Sequence, residues 1–184
     1  LARACGVTRD LRKDDPFLCF EDNWDGQGAK PVEFDVPIAT TGDCLARYHV
    51  RLEEMNQSCH IIRQLIDDIP GGPLDVHPSG GVHLPPKENV YNSIEGTIQH
   101  FEMVMPNRGW ESPVGECYAA IEGPNGEYGF FLVTDGGPNS WRVAPRPCSF
   151  INFQMFPKMF EGHQLADLVA ILGSLNIIAA ELDR

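Results

Sequence analysis

A single apolar stripe constrains this chain more than any other feature. Apolar or near-apolar residues recur at Cys44, Tyr48, Leu52, Met55, Cys59, Ile62, Ile66 and Ile69, at spacings of 4, 4, 3, 4, 3, 4 and 3. Only a helix of about 3.6 residues per turn puts such positions on one side, so the stripe predicts one continuous helix over 42–69, about seven turns long. Leu52, Met55, Ile62 and Ile66 are expected to face inward. Thr41 or Asp43 can cap its start, and Pro70-Gly-Gly-Pro73 stops it. The other face carries Arg47, Arg51, Glu53, Glu54, Arg63 and Asp67, which reads as a solvated side. A helix this long in a chain of 184 residues points to a bundle, part of whose surface meets a partner.

The remaining elements are placed around that helix. Residues 1–40 show no sustained period, and Asn23 to Lys30 (NWDGQGAK) reads as an exposed loop or insertion. Phe34-Asp-Val-Pro37 is expected to be extended, because Pro37 biases Val36 away from helix. Leu74 to Lys87, with three prolines and Gly80-Gly81, reads as a loop. A second helix is expected over Asn89–Met105, from the spacing of Tyr91, Ile94, Ile98, Phe101 and Met105. The period then changes. Val114–Glu122 and Glu127–Thr134 read as strands about a Gly123-Pro-Asn-Gly126 turn, with Trp141–Ala144 as a third strand stopped by Pro145 and Pro147. Short helices are expected over Ser149–Pro157 and His163–Leu175, followed by an apolar tail. The expected architecture is therefore α+β: long bundle helices with a small antiparallel β-sheet. One domain is expected over 1–184, irregular in 1–40, helical in 41–105, a sheet in 114–144 and helical again in 149–184.

Composition narrows the function classes. With 42% hydrophobic and 22% charged residues the chain is of the soluble globular kind. Its net charge of −12 repels phosphate backbones and no basic cluster offsets it, so no nucleic-acid partner is expected. The uncharged run from Leu168 up to Glu181 is too short for a bilayer span of roughly 20 residues. No basic region followed by an apolar stretch opens the chain, so no secretory signal is expected. Cys5, Cys19, Cys44, Cys59, Cys117 and Cys148 form no CxxC pair. They read as reduced thiols, and as small buried hydrophobes rather than zinc or iron–sulfur ligands. His77 and His83 have no further ligand near in sequence. A Cys148/His163 nucleophile pair lacks a third group to position it. There is no GxGxxG and no P-loop.

A family resemblance adds what spacing leaves open. Asp10-Leu-Arg-Lys13, Phe34-Asp-Val-Pro37, Gly42-Asp-Cys44, Arg47-Tyr48, Arg51-Leu-Glu-Glu-Met55, Gln57-Ser58 and Ile61-Ile62 follow one another in a pattern. It continues through Pro85-Pro-Lys87, His100-Phe101, Gly115-Glu116, Tyr118-Ala-Ala120, Gly162-His163, Ala166-Asp167, Ala170-Ile-Leu-Gly-Ser174 and Glu181-Leu-Asp-Arg184. This resembles the C-terminal half of the D (49-kDa-type) subunit of respiratory complex I, a relative of the nickel–iron hydrogenase large subunit. The chain departs from it at Glu21–Lys30 and at Cys148, where the family commonly has Pro or another small residue.

The resemblance implies a hydrogenase-large-subunit-like fold in a peripheral-arm subunit of a proton-pumping NADH:quinone oxidoreductase. The hydrogenase cysteine positions fall on Ile178 and Glu181, and an Ile cannot ligate a metal. No metal site and no catalytic residue are therefore expected in this chain, and no cofactor of its own. Quinone is the implied substrate of the assembly, and its iron–sulfur cluster lies in the neighbouring B-type subunit. The implied partners are the B- and C-type subunits and, through the assembly, the membrane arm. The implied location is peripheral, at the cytoplasmic face of the inner membrane or the matrix side. Ile178, Glu181 and Asp183 are the candidate quinone-cavity residues. The headgroup-binding His and Tyr of the family belong to its N-terminal half, and the chain opens at Leu1. A fragment that does not bind quinone competently by itself is the expectation.

Overall fold

A computed structural model of the chain describes residues 1–69, 71–72, 84–105 and 111–183. The helix stop built on Pro70 and Pro73, the loop from Leu74 through His83 with its two histidines, and the terminal Arg184 lie outside the described residues. The chain forms two compact units. The first comprises Leu1–Pro70, Ala120–Gly129 and Arg146–Arg184; the second comprises Gly71–Ala119 and Phe130–Pro145.

In the first unit a 3-10 turn at Ala2–Cys5 is followed by a short helix α1, Leu11–Asp14, and a 3-10 turn at Leu18–Phe20. These are local ordering that the sequence pattern of 1–40 did not reveal. The expected loop of residues 23–30 is folded on itself. Asp25 accepts from the Gln27 and Ala29 N–H groups, and the Trp24 indole N–H reaches the Lys30 carbonyl. The segment around Phe34 is extended, as Pro37 dictates. It is stitched to the long helix α2, Cys44–Asp68. Gln57 Oε1 accepts the Asp35 N–H at 3.1 Å, while the Gln64 amide accepts from the Glu33 N–H and donates to its carbonyl, at 3.0 and 2.7 Å. Two glutamines seven residues apart on one helix face thus satisfy backbone groups that have no strand partner.

Helix α2 is continuous, as its period requires. Asp43 accepts the Ala46 N–H at 2.7 Å and is itself bonded by the Thr41 hydroxyl, so both candidate caps take part. The side it buries is not the expected one. Ala46, Val50 and Ile61 are buried, with Arg47 among them, whereas Met55, Ile62 and Ile66 are 56%, 54% and 66% exposed. The expectation of Leu52, Met55, Ile62 and Ile66 facing inward is therefore corrected. The physical reason is pairing. Arg47, Arg51 and Glu54 lie beside Ala46 and Val50, and each finds a hydrogen-bond partner in the Ala2–Cys5 turn or in α7, Asp167–Leu175. Once satisfied, these polar groups no longer demand water. Ile171 and Leu175 of α7 complete the core beside this row.

In the second unit the expected helix of 89–105 is two, α3, Lys87–Asn92, and α4, Ile94–Val104. Ser93 breaks them with an extended backbone, φ −135° and ψ 145°, and its hydroxyl caps α4 by accepting the Gly96 N–H at 3.0 Å. The helix that breaks and restarts brings Gly96 against Asn89 so closely that a Cβ there would lie 2.5 Å from the Asn89 carbonyl oxygen.

Strands β1, Gly115–Gly123, β2, Gly126–Thr134, and β3, Arg142–Arg146, form one antiparallel sheet in the order β1-β2-β3. The hairpin turn lies in the first unit and the open end of the sheet in the second. β3 runs through Pro145 rather than stopping at it, which an edge strand tolerates because its outward N–H groups need no partner. After it come α5, Cys148–Phe153, and α6, Phe156–Phe160, where one helix over 149–157 was expected. Helix α7 begins at Asp167, later than the expected His163. The mixed helix-and-strand class stands as read.

Candidate functional site

The C-terminal tail is built from the end of α7 outward. Asn176 turns the chain with a left-handed backbone, φ 53° and ψ 52°, and its N–H closes onto the Gly173 carbonyl. Its side-chain amide donates to Asn125 Oδ1 at 2.8 Å, and Asn125 donates back to the Asn176 carbonyl at 2.9 Å. The tail is thereby tied to the turn of the β1–β2 hairpin. Two residues on, the Ile178 N–H donates to the Ser149 hydroxyl at 3.3 Å. Glu181 Oε2 accepts the Ser149 N–H at 2.9 Å, so a carboxylate sits on the first turn of α5, where the helix end favours negative charge. Ser149, 1% exposed, holds the tail from both sides.

Of the three sequence-predicted cavity residues, the structure brings Ile178 and Glu181 together on Ser149. Asp183 is exposed at the end of the described chain. Among the described residues the tail is anchored on α5 through Ser149. The Ile178 backbone is pinned while 52% of the residue stays exposed, an apolar group presented rather than packed.

Cys148 and His163 are each engaged elsewhere. The Cys148 thiol is buried and directed at the Gly126 and Glu127 carbonyls, both at 3.1 Å, and burial together with the nearby Glu181 charge pushes its pKa up. A raised thiol pKa suppresses the nucleophilic thiolate. His163 lies against Asp167, four residues on. Cysteines were expected to be buried; Cys148 is, whereas Cys5, Cys59 and Cys117 are exposed.

Sequence reasoning missed a cluster of charges that fixes the opening segment. Asp10 is fully buried. It accepts from Arg12 at its backbone N–H (3.0 Å), Nε (2.9 Å) and Nη2 (2.7 Å), and from Arg3 Nη2 at 2.9 Å. Arg3 in turn reaches Glu54 of α2 and Glu122 of β1, each at 2.6 Å, and Glu122 accepts the Leu11 N–H at 3.1 Å. Burial alone would push the Asp10 carboxyl up, but the hydrogen bonds and charges of Arg12 and Arg3 outweigh it and hold the carboxyl below its ordinary range. For Arg3 the sign is opposite: burial would lower its pKa, and Glu54, Glu122 and Asp10 raise it. The signal available in the sequence was that Arg47, Arg51 and Glu54 share a helix side with Ala46, Val50 and Ile61.

The whole chain has relatives among known proteins. The family model described as respiratory-chain NADH dehydrogenase, 49 Kd subunit, matches residues 1–184. The chain is 45% identical over 184 residues to the C/D subunit of the NADH-quinone oxidoreductase of Bdellovibrio bacteriovorus, covering 100% of this chain and 31% of that protein. It is 43% identical over 182 residues to the D subunit of the Geobacter sulfurreducens enzyme, covering 99% and 44%. Against the D subunit of the Leptospira biflexa enzyme it is 47% identical over 184 residues, covering 98% and 42%. The chain spans less than half the length of these relatives. With the whole of its length matched, the chain belongs to the family of the 49 Kd subunit of respiratory-chain NADH dehydrogenase.

Proposed function

We propose that this chain forms part of the peripheral arm of a proton-translocating NADH:quinone oxidoreductase, and that its C-terminal tail lines one wall of the quinone cavity. The observation that carries the reading is likeness over the whole chain to the D subunits of NADH-quinone oxidoreductases. The tail supports it physically. A quinone ring needs an apolar slot with few polar groups. Ile178 offers an exposed branched side chain on a pinned backbone, while the Glu181 carboxylate is drawn onto the Ser149 N–H.

In this reading the cavity corresponds to the emptied metal site of a hydrogenase-like ancestor, with Ile178 and Glu181 at the former cysteine positions. Electrons reach quinone from an iron–sulfur cluster held by a B-type partner, and this chain shapes the cavity and passes on the reduction event without a cofactor of its own. The exposed row Met55, Ile62 and Ile66 is where the remainder of the subunit packs, completing the bundle, with B- and C-type subunits around it. No helix among the described residues is long and apolar enough to cross a membrane, which accords with a peripheral position at the inner face of the membrane.

The test is Ile178→Met in the assembled complex. Met is longer and unbranched and extends further into an apolar slot without adding charge. Assembly is expected to be normal, with a shift of several-fold in inhibitor sensitivity or in the apparent KM for quinone. An unchanged inhibitor response, together with normal quinone reduction after removal of residues 176–184, leaves a scaffold that keeps the fold without the site.

A further inference from the structure

The first unit contains a cavity of about 460 Å³ whose wall is unusually basic for a chain of net charge −12. Five arginines line it, Arg3, Arg9, Arg47, Arg51 and Arg146, against three glutamates, Glu54, Glu122 and Glu127. The glutamates are already taken. Glu54 and Glu122 lie on Arg3, and Glu127 lies 3.0 Å from Arg9 and 3.8 Å from Arg146. The unmatched charge therefore resides on Arg47 and Arg51, neighbours one turn apart on α2, for which no ion pair within 4.0 Å occurs among the described residues.

Arg47 is 7% exposed and spends its donors on the Ser174 hydroxyl, the Gly42 carbonyl and the Cys44 sulfur, at 3.0, 2.6 and 3.1 Å. It is a fixed charge with little capacity left. Arg51 is different. Of its five N–H groups, one donates to the Ser174 carbonyl at the end of α7. That bond tethers one corner of the guanidinium and leaves the rest of the fork without an acceptor among the described residues. Burial and the repulsion of Arg47 outweigh the attraction of Glu54 and hold the Arg51 pKa below its ordinary value. Two like charges one helical turn apart, partly removed from water, are a standing electrostatic cost that an anion removes. A planar fork tethered at one corner, with its other N–H groups still to be used, matches the two oxygens of a carboxylate or phosphate.

We propose that this cavity is a binding site for a small oxyanion, inorganic phosphate or a short dicarboxylate, held bidentately by Arg51 with Arg47 as the fixed charge behind it. The site is independent of the quinone reading, since it uses no residue of the tail.

The experiment uses the full-length subunit that contains these 184 residues, with phosphate, with succinate and with chloride at matched ionic strength. Titration calorimetry should show saturable binding of phosphate or succinate and none of chloride. Arg51→Gln, folded by circular dichroism, should weaken that binding about ten- to hundred-fold, the loss of charge-assisted hydrogen bonds. Arg63→Gln, on an exposed position of the same helix, should leave it unchanged. A second measurement needs no variant. Modification by an arginine-specific dicarbonyl, mapped by mass spectrometry, should be suppressed several-fold by phosphate at Arg51 and not at Arg63. Absence of saturable binding, equal binding by a folded Arg51→Gln chain, or equal protection of Arg51 and Arg63 overturns the site.

Discussion

Replacing Asp10 by Asn tests whether the buried charge cluster holds the first unit together. The substitution keeps the shape and leaves one oxygen to accept from the Arg12 N–H at the start of α1. It removes the charge shared by Arg3 and Arg12, and it turns an amide N–H₂ toward their two guanidinium groups, which donate at 2.9 and 2.7 Å. Removing one partner of a fully buried ion pair typically costs about 3–5 kcal/mol, because the other charge stays buried and unpaired. Arg3 retains Glu54 and Glu122, so the lower end, about 3 kcal/mol, applies. For a chain of 184 residues each kcal/mol moves the midpoint by about 2–4 °C, so thermal melts at pH 7 should fall by about 6–12 °C. The pH dependence gives a second readout. The folded Asp10 pKa is depressed, so its stabilising contribution is fully present above the ordinary carboxylate pKa of about 3.9 and is lost as pH falls through the lower folded value. The gap between parent and Asp10→Asn melts should therefore close on acidification below about pH 4. A control, Arg9→Gln, removes an exposed pair to Glu127 and should cost at most about 1 kcal/mol. An Asp10→Asn melt within about 2 °C of the parent, or a gap that does not shrink in acid, refutes the reasoning.

Three other substitutions or modifications probe the packing. Val50→Asp should destabilise the chain by about 4 kcal/mol or more in chemical denaturation, since it places an unpaired charge on the buried row, whereas Met55→Asp on the exposed row should cost about 1 kcal/mol or less. Equal losses would return the inward face to the Met55 side. Gly96→Ala should lower protection of α3 and α4 in hydrogen exchange and cost about 1–3 kcal/mol, because the new Cβ meets the Asn89 carbonyl. Alkylation of the native chain should label Cys5 and Cys59 quickly and Cys148 at least about ten-fold more slowly, as its thiol is buried, hydrogen-bonded and raised in pKa. Equal rates read by mass spectrometry would show that Cys148 is open to solvent.

The family was legible in the sequence because short motifs in fixed order survive in one dimension, from Asp10-Leu-Arg-Lys13 to Glu181-Leu-Asp183. The tail positions Ile178 and Glu181 came from that order alone, and their common anchor came from the structure. Ser149 is a lone hydroxyl in sequence, and nothing near it announces that it will hold residues 29 and 32 positions away.

The sequence by itself determined the existence and period of α2, the extended segment before Pro37 and the hairpin about Pro124 and Asn125. These follow from local torsional preference and side-chain spacing, which act over a few residues. Tertiary structure alone decided which face of α2 is buried, that Ser93 ends one helix and caps the next, and that Pro145 stays within its strand. The buried face of α2 turns on whether its polar groups find partners distant in the chain. Arg47 and Arg51 find them on Ser174, and Glu54 finds one on Arg3. A charge that reads as solvated in sequence is buried once such a partner exists, and the apolar row beside it is then left facing out.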